Sequence, residues 1–301
     1  MVHQTSKLMQ GKPTHMNHSP ITQLKQTLEL TQLEENKFQG KSLWMPHGRV
    51  FGGQVMAQAL AAATRTVENS RPVHSLHGYF LRPGDVDQEI TFDVEILRDG
   101  RSFSARRVQA IQKEKVIFSM ISSFQTSEPG VDHQMDLTGD NGDPEKLPSA
   151  GEILGDIDHP SAQYWANSRP FDIRHFPDDL YLKVKTKQPR QTVWLKTREA
   201  IDLAAELHPA ALAFASDYTI LESGLRNHGI SWAHPGMASA SLDHAMWFHR
   251  PIDINRWMLY QQESPSAQGS RNLNLGKIYQ DGVLVATVAQ EGMLRIPEFS
   301  N

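Results

Sequence analysis

Asp217 is the residue in this sequence whose surroundings fit its chemistry least. It lies in the apolar segment LAFASDYTIL (212–221). Its neighbours three and four positions away on either side are Ala213, Phe214, Ile220 and Leu221. Aspartate is a poor residue for a helix interior, and no lysine or arginine on this predicted helix is spaced to pair with it. Either Asp217 points into solvent at an irregularity of the helix, or it is buried in a polar site completed by other elements.

Two further polar residues are candidates for the same kind of site. Gln290 shares one face of a predicted strand with Ala286, Val288, Gly292 and Leu294. A buried amide without a partner costs about 1–3 kcal/mol, so Gln290 either belongs to a functional site or anchors a backbone group in the core. Ser241 shares its face with Ser239 and Asp243, which is typical of an ordinary polar strand face.

Residue types exclude several common chemistries. The chain has no cysteine, which excludes disulfides, thiolate metal sites and a cysteine nucleophile. It contains neither the G-x-S-x-G sequence of a serine nucleophile elbow nor the H-E-x-x-H sequence of a zinc site. Asp243, His244 and His249 are close in sequence, but alternation along a strand points His244 away from the other two. We therefore expect no metal and no cofactor.

The elements that must position these residues occur in two copies. The segments LHGYFLRP (76–83) and HAMWFHRP (244–251) both end in Arg-Pro and are 168 positions apart. The same offset aligns the segments that follow each of them. Before them, FGGQ (51–54) matches FASD (214–217) at an offset of 163. Such internal similarity indicates a duplicated structural unit.

Each copy has the pattern of an apolar helix followed by four strands of alternating hydrophobicity. In the first copy the predicted strands are 73–82, 88–98, 102–112 and 115–126. In the second copy they are 237–249, 256–264, 271–280 and 283–295. A helix that is apolar nearly all round is expected to be covered by an antiparallel sheet, which predicts an α+β fold. The predicted organisation is a disordered lead (1–21), a first unit (22–128), a connector (129–188) and a second unit (189–297).

Five segments of the chain resemble the type II acyl-CoA thioesterases, the TesB-like family. They are FGGQVMAQAL, HGYFLRPGD, LRDGRSFSARRVQAIQ, LDHAMWFHRP and VAQEGMLR, and the similarity covers about residues 22–297. The resemblance implies a double hotdog fold, in which two hotdog units are fused, and hydrolysis of acyl-CoA to a free fatty acid and coenzyme A. It also implies a catalytic triad of aspartate, serine or threonine, and glutamine in the second unit. Matched by motif, these residues are Asp217, Ser241 and Gln290.

The resemblance implies that the triad activates water directly, without a covalent intermediate. Asp217 would accept the proton of the water, and Ser241 and Gln290 would orient it. We expect backbone N–H groups near the triad to stabilise the oxyanion. The equivalent positions of the first copy hold Gln54, Val73 and Ser122 instead. One working site per chain is therefore expected, in the second unit.

Composition limits the partners of the protein. Its 30 basic and 34 acidic residues give a net charge of −4. No basic run favours nucleic acid, no apolar run approaches the roughly 18 residues of a membrane span, and the N-terminal residues lack the apolar core of a secretory signal. We expect an acyl-CoA substrate, no nucleic-acid partner, no membrane span and a cytoplasmic location. The family resemblance suggests a homo-oligomer, either a dimer or a tetramer.

Other interpretations stay open at this point. The tripeptide His175-Phe176-Pro177 is similar to one used by hotdog dehydratases, but it precedes neither predicted helix and is interpreted as a connector loop. An enoyl-CoA hydratase would need a catalytic histidine near the helix, whereas position 217 is an aspartate. A non-catalytic acyl-CoA sensor is the alternative from another class. Four arginines have two interpretations, either contact with coenzyme A phosphates or ordinary surface positions: Arg82, Arg106, Arg107 and Arg250.

Overall fold

The computed structural model describes residues 19–68 and 71–299. The helices in this part of the chain are Pro20–Leu28 (α1), Gly52–Thr64 (α2), Ala150–Leu154 (α3), Pro160–Gln163 (α4), His208–Ser216 (α5) and Glu222–His228 (α6). The strands of the first half are Thr31–Glu34 (β1), Lys37–Gly40 (β2), Val73–Phe80 (β3), Ile90–Asp99 (β4), Phe103–Gln112 (β5) and Lys115–Gln125 (β6). Those of the second half are Phe171–Phe176 (β7), Arg190–Thr197 (β8), Ala238–Ser241 (β9), Asp243–Phe248 (β10), Met258–Gln268 (β11), Arg271–Gln280 (β12) and Val283–Arg295 (β13).

All of these strands belong to one antiparallel sheet. Its order is β1-β2-β4-β5-β6-β3-β10-β13-β12-β11-β8-β7, with β9 paired to β13 beside this path. Read outward from the β3–β10 pair in the middle, the two halves have the same order, so β3 corresponds to β10 and β6 to β13. The repeat predicted for the strands is therefore present in the sheet, and the α+β class is confirmed.

The connector contains a strand that the sequence analysis missed. β7 alternates buried and half-buried residues and pairs with β8, with His175 opposite Val193. The interpretation of His175-Phe176-Pro177 as a loop was therefore wrong. The outward residues of β7, Asp172 and Arg174, form an ion pair at 2.9 Å, so these charges belong to one face of a strand.

The predicted disordered lead also needs a correction. Residues 1–18 lie outside the described residues, but Pro20 and Ile21 already belong to α1. The hydroxyl of Ser19 accepts a hydrogen bond from the N–H of Thr22 at 3.3 Å and caps this helix. The proline at the first helical position supports the same start, because its missing N–H would have had no partner there.

The first apolar helix is as deeply buried as its composition predicts. Every residue of α2 from Gly53 to Ala63 is buried. The helix packs against α5 and against β4, β5 and β6. A Cβ at Gly53 would lie 2.4 Å from the carbonyl oxygen of Phe214, so only glycine permits this approach of α2 to α5.

The second apolar helix is interrupted. α5 ends at Ser216, residues 217–221 form turns, and α6 begins at Glu222. Asp217 therefore lies at the end of α5 and not in a helix interior, which the apolar segment 212–221 had predicted. Aspartate, tyrosine, threonine and isoleucine follow one another here, and all four are weaker helix formers than alanine or leucine. Among the described helices, none is long and apolar enough to cross a membrane.

Candidate active site

Asp217 caps the C-terminal end of α5 and is buried, with 8 % of its surface exposed. The ring of Tyr218 stacks on Phe51 at a centroid distance of 4.4 Å, which fixes the turn against the residue preceding α2. The irregularity of the helix thus does not expose the carboxylate to solvent. It turns the carboxylate inward at the junction of the two halves of the chain.

The three residues singled out from the sequence meet at one point. The Ser241 hydroxyl donates to Asp217 Oδ1 at 2.8 Å, and the Gln290 amide Nε2 donates to the same oxygen at 3.0 Å. Gln290 Nε2 also donates to Ser241 Oγ at 2.9 Å, which closes a triangle of hydrogen bonds. Gln290 is fully buried and Ser241 is half-buried, so the cluster reaches toward the surface on the side of Ser241.

Ser241 is positioned by an interruption of the predicted strand that carries it. The predicted strand 237–249 is divided at Leu242 into β9 and β10. The Asp243 carboxylate accepts the Glu291 N–H at 2.7 Å, and the Leu242 N–H donates to the Glu291 carbonyl at 3.0 Å. Both bonds hold the break against β13, the strand that carries Gln290.

Burial changes the acid strength of Asp217. Loss of water contact raises the pKa of Asp217 from its ordinary value of 3.8 to about 6. Hydrogen bonds from Ser241, Gln290 and the backbone N–H of Gly53 oppose the rise by stabilising the charged form. The carboxylate is therefore ionised at neutral pH, yet far more basic than an exposed aspartate.

The first residues of α2 complete the surroundings of this carboxylate. A Cβ at Gly52 would lie 2.7 Å from Asp217 Oδ2, so a side chain at this position would press against the carboxylate. Phe51 precedes the helix and makes no side-chain cap for its first N–H groups. The helix start therefore directs polar N–H groups and the positive end of the helix dipole toward Asp217.

The equivalent positions in the first copy form no such cluster. Gln54 is buried, and its Oε1 accepts the Leu43 N–H at 2.9 Å, so it anchors the loop that precedes α2. Val73 and Ser122 are buried as well. This arrangement agrees with a single candidate site in the second copy.

His244, which the sequence suggested only as a possible metal ligand, is a further member of this cluster. Its ring is fully buried, with Nε2 at 3.1 Å from Ser216 Oγ and Nδ1 in contact with Gln290 Oε1. Burial lowers the pKa of His244 from 6.5 to about 4, so the ring is neutral. The alternation of β10 could have revealed it, because His244 shares the inward face with Met246 and Phe248 and a buried histidine needs partners.

The other candidates from the sequence lie apart from this cluster. Asp243 binds the backbone of β13, and His249 is 2.8 Å from Thr287 Oγ1, so neither of them joins His244. No group of three metal-ligating side chains occurs in the described part of the chain. His175 is buried, with Nε2 at 2.9 Å from Glu222 Oε2.

The four arginines have local partners. Arg82 donates to the Val116 carbonyl at 2.7 Å. Arg107 and Arg250 pair with Glu95 and Asp132. Arg106 is no surface residue: it is 2 % exposed and pairs with Asp99 at 2.9 Å.

Comparison with known proteins gives this geometry a family context. A family model described as acyl-CoA thioesterase matches residues 174–293, and one described as the acyl-CoA thioesterase N-terminal domain matches residues 41–125. Acyl-CoA thioesterase 2 of Haemophilus influenzae is 39% identical over 280 residues, which cover 90% of this chain and 96% of the relative.

Solved structures agree with the family models. The acyl-CoA thioesterase II TesB2 from Mycobacterium marinum shares 42% identity, covers 91% of this chain and 98% of its own, and superposes with a TM-score of 0.76. A hot dog fold protein from Alicyclobacillus acidocaldarius, at 18% identity, 91% and 98% coverage and a TM-score of 0.74, supports the fold alone. The double hotdog prediction is thereby confirmed, and the chain belongs to the type II, TesB-like acyl-CoA thioesterase family.

Proposed function

We propose that this protein hydrolyses acyl-CoA thioesters to a free fatty acid and coenzyme A, with Asp217, Ser241 and Gln290 activating the attacking water. The observation that carries the proposal is the closed triangle of hydrogen bonds around a buried carboxylate in a chain of this family. Both the position of Asp217 and its raised pKa suit a general base at neutral pH.

The two carboxylate oxygens have different roles in this mechanism. Oδ1 already accepts hydrogen bonds from Ser241 and Gln290, so Oδ2 is the oxygen that takes the proton of the water. The water oxygen attacks the thioester carbonyl carbon while its proton passes to Asp217. The oxyanion then collapses, the C–S bond breaks, and the sulfur leaves as a thiolate that takes up the proton held by Asp217, which restores the charged carboxylate. Because a thiol has a pKa near 8.5, its departure needs no strong acid.

Ser241 and Gln290 contribute mainly through position. They hold the carboxylate in one orientation, which lowers the entropic cost of bringing water in line with the carbonyl carbon. The Gly53 N–H donates to Asp217, and the N–H groups of Gln54 and Val55 donate to the Phe51 carbonyl. The oxyanion is therefore stabilised by the Gly52 N–H and the positive end of the helix dipole. The first unit thus supplies part of the site that the second unit carries.

The hydratase alternative is weaker in this geometry. Both ring nitrogens of His244 are engaged inside the protein, and His175 is held by Glu222, which also accepts the Trp232 indole N–H at 2.9 Å. His244 therefore offers no free nitrogen to a substrate, and His175 is buried with its Nε2 bound to Glu222. Measurement of acyl-CoA turnover distinguishes the hydrolase from the non-catalytic sensor.

Assembly and location belong to the same proposal. One face of β3, β6 and β10 carries a group of large exposed side chains: His77, Tyr79, Ile121 and Trp247. Tyr79 is 62 % exposed and Ile121 49 % exposed. An apolar group at the centre of a sheet is typical of a contact between subunits, which supports a homo-oligomer. A cytoplasmic location completes the proposal, together with the unit boundaries 20–128, 129–170 and 171–297, which keep α1 and β7 whole.

The test is release of free thiol from a series of acyl-CoAs of increasing length, followed with a thiol-reactive dye. The protein has no cysteine and adds no signal of its own. We expect release by the native protein and its loss in Asp217→Asn, with the mutant folded by circular dichroism. Binding of acyl-CoA without release in any member of the series would favour the sensor, and full turnover by Asp217→Asn would refute the role of Asp217.

A further inference from the structure

His244 is hydrogen-bonded to the triad through Gln290. On the inward face of β10, its Nδ1 faces Gln290 Oε1 and its Nε2 lies 3.1 Å from Ser216 Oγ. The charged or titratable groups near this contact are Asp217, on the far side of the Gln290 amide, and the phenols of Tyr218 and Tyr260, which interact with Asp217. His244 is therefore separated from the carboxylate by a single amide group.

The orientation of the Gln290 amide determines which ring nitrogen of His244 is protonated. Gln290 directs its NH₂ group to Asp217 Oδ1 and Ser241 Oγ, which leaves its carbonyl oxygen toward His244. A carbonyl oxygen only accepts hydrogen bonds, so His244 Nδ1 must carry the ring proton. The Ser216 hydroxyl can donate its single proton either to the Ala213 carbonyl at 2.9 Å or to His244 Nε2 at 3.1 Å, so it accommodates either tautomer and donates to Nε2 when Nδ1 is protonated. The tautomer of His244 is thus set from the Gln290 side.

We propose that His244 is a positioning residue, whose Nδ1–H holds the Gln290 amide with its NH₂ group toward the carboxylate of Asp217. The inference rests on the proposed function. Without this donor, the amide is free to turn by half a rotation, which places its carbonyl oxygen against the Asp217 carboxylate. That orientation repels the charged base and removes a donor from Ser241.

The first half of the chain is an internal comparison. At the 168-residue offset, Leu76 stands in place of His244 and Ser122 in place of Gln290, and the two lie opposite each other between β3 and β6. Ser122 Oγ has no hydrogen-bond partner there, and position 54 holds a glutamine rather than an acid. The half without the carboxylate and its glutamine also lacks the histidine, as expected if His244 serves Gln290 rather than the packing of the strand.

The test is a set of three substitutions that separates the donor from the bulk of the ring. Asparagine at position 244 carries an N–H group at the same distance along the side chain as Nδ1, whereas glutamine carries it one carbon farther out. Leucine is the residue of the first half. We expect His244→Asn to keep kcat within a few-fold of the native value, and His244→Gln and His244→Leu to lose roughly 100-fold.

The pH profile distinguishes positioning from packing. A Gln290 amide that no longer donates to Asp217 stabilises the charged form less, so the acid limb of kcat/KM moves upward in His244→Leu and stays in place in His244→Asn. Unfolding temperatures of all variants check the fold. The proposal would be overturned if His244→Leu left both kcat and the acid limb unchanged. It would also be overturned if the kcat of His244→Asn were no higher than that of His244→Gln.

The native protein provides a second measurement that does not depend on folding of a mutant. The ¹⁵N shifts of the His244 ring at pH 7, assigned by their absence from His244→Asn, report which nitrogen is protonated. A protonated Nδ1 is expected, and a protonated Nε2 would refute the proposal. If Asp217→Asn keeps full turnover, the proposed site has failed; if Asp217→Asn is inactive while the His244 variants behave as native, only the role of His244 has failed.

Discussion

Removal of the Asp217 charge is expected to abolish activity and at the same time to stabilise the fold. The pKa of Asp217 rises from 3.8 to about 6 on folding, because the buried ionised form has lost its water. The folded protein therefore holds this proton more tightly than the unfolded chain. At a free energy of about 1.4 kcal/mol per pKa unit, the ionised carboxylate costs about 3 kcal/mol of folding stability once the pH is above 6.

The sign of the pH dependence follows from the raised pKa. Below about pH 4 the carboxyl is protonated in both states and carries no penalty. The penalty grows between about pH 4 and 6 and is complete above pH 6. Asp217→Asn removes it but turns an amide NH₂ toward one of the donors that surround the carboxylate, which we expect to cost about 1 kcal/mol. The net gain at pH 8 is thus about 1–3 kcal/mol.

The assay is denaturant unfolding of the native protein and of Asp217→Asn at pH 8 and pH 4, with Asp156→Asn as the matched control. Asp156 is exposed between α3 and α4, so its substitution changes the net charge by the same amount without touching the site. We expect Asp217→Asn to be more stable than the native protein at pH 8, with the gain disappearing at pH 4. The conclusion that the buried charge of Asp217 destabilises the fold would be refuted if Asp217→Asn were equally or less stable at pH 8. It would also be refuted if Asp156→Asn showed the same gain in stability.

Three further substitutions test the remaining parts of the site. Gln290→Ala is expected to lower kcat and to move the acid limb of kcat/KM above pH 6, because a donor to the charged form of Asp217 is lost; an acid limb that moves downward would contradict this. Ser241→Ala is expected to lose roughly 10- to 100-fold in kcat while Ser241→Thr, which keeps the hydroxyl, loses less; equal losses in a steady-state assay would show that the hydroxyl is not what matters. Gly52→Ala is expected to impair turnover more than folding, since its Cβ would lie 2.7 Å from Asp217 Oδ2. Comparison of kcat with the unfolding temperature checks this, and an unchanged kcat at a lower unfolding temperature would contradict it.

The strands were predictable because their signal is local. Alternation and turn residues located four strands in each half, but not β1 and β2 or their counterparts β7 and β8. The dipeptide Asp281-Gly282, which is typical of a hairpin, lies in the turn between β12 and β13, and its two residues have positive φ values of 51° and 79°. β7 was missed for a physical reason. Its outward charges pair with each other within one strand, so its polar appearance reflects a local ion pair rather than solvent exposure on all sides.

The interruption of the second helix was harder to predict from sequence. The residues 217–221 have low helix propensity, but propensity is a weak guide where tertiary contacts decide the backbone. Here Tyr218 stacks on Phe51, and Thr219 Oγ1 accepts from the Gln262 amide at 2.8 Å, so the turn is held by elements distant in sequence. The same limitation concealed His244, whose partners on α5 and β13 become neighbours only in the folded sheet.

The two halves of the chain are similar in order but contribute different things to one site. The second half carries the carboxylate and the side chains that orient it, while the first half brings the start of α2, where glycine permits an approach that any side chain would block. In the first half, Gln54 is committed to the backbone of the loop before α2, so restoring an acid at that position would break the anchor of the loop as well as bury an uncompensated charge. The absence of a carboxylate in the first half and the site of the second half are thus linked through α2, because Gln54 holds the loop before the helix start that faces Asp217.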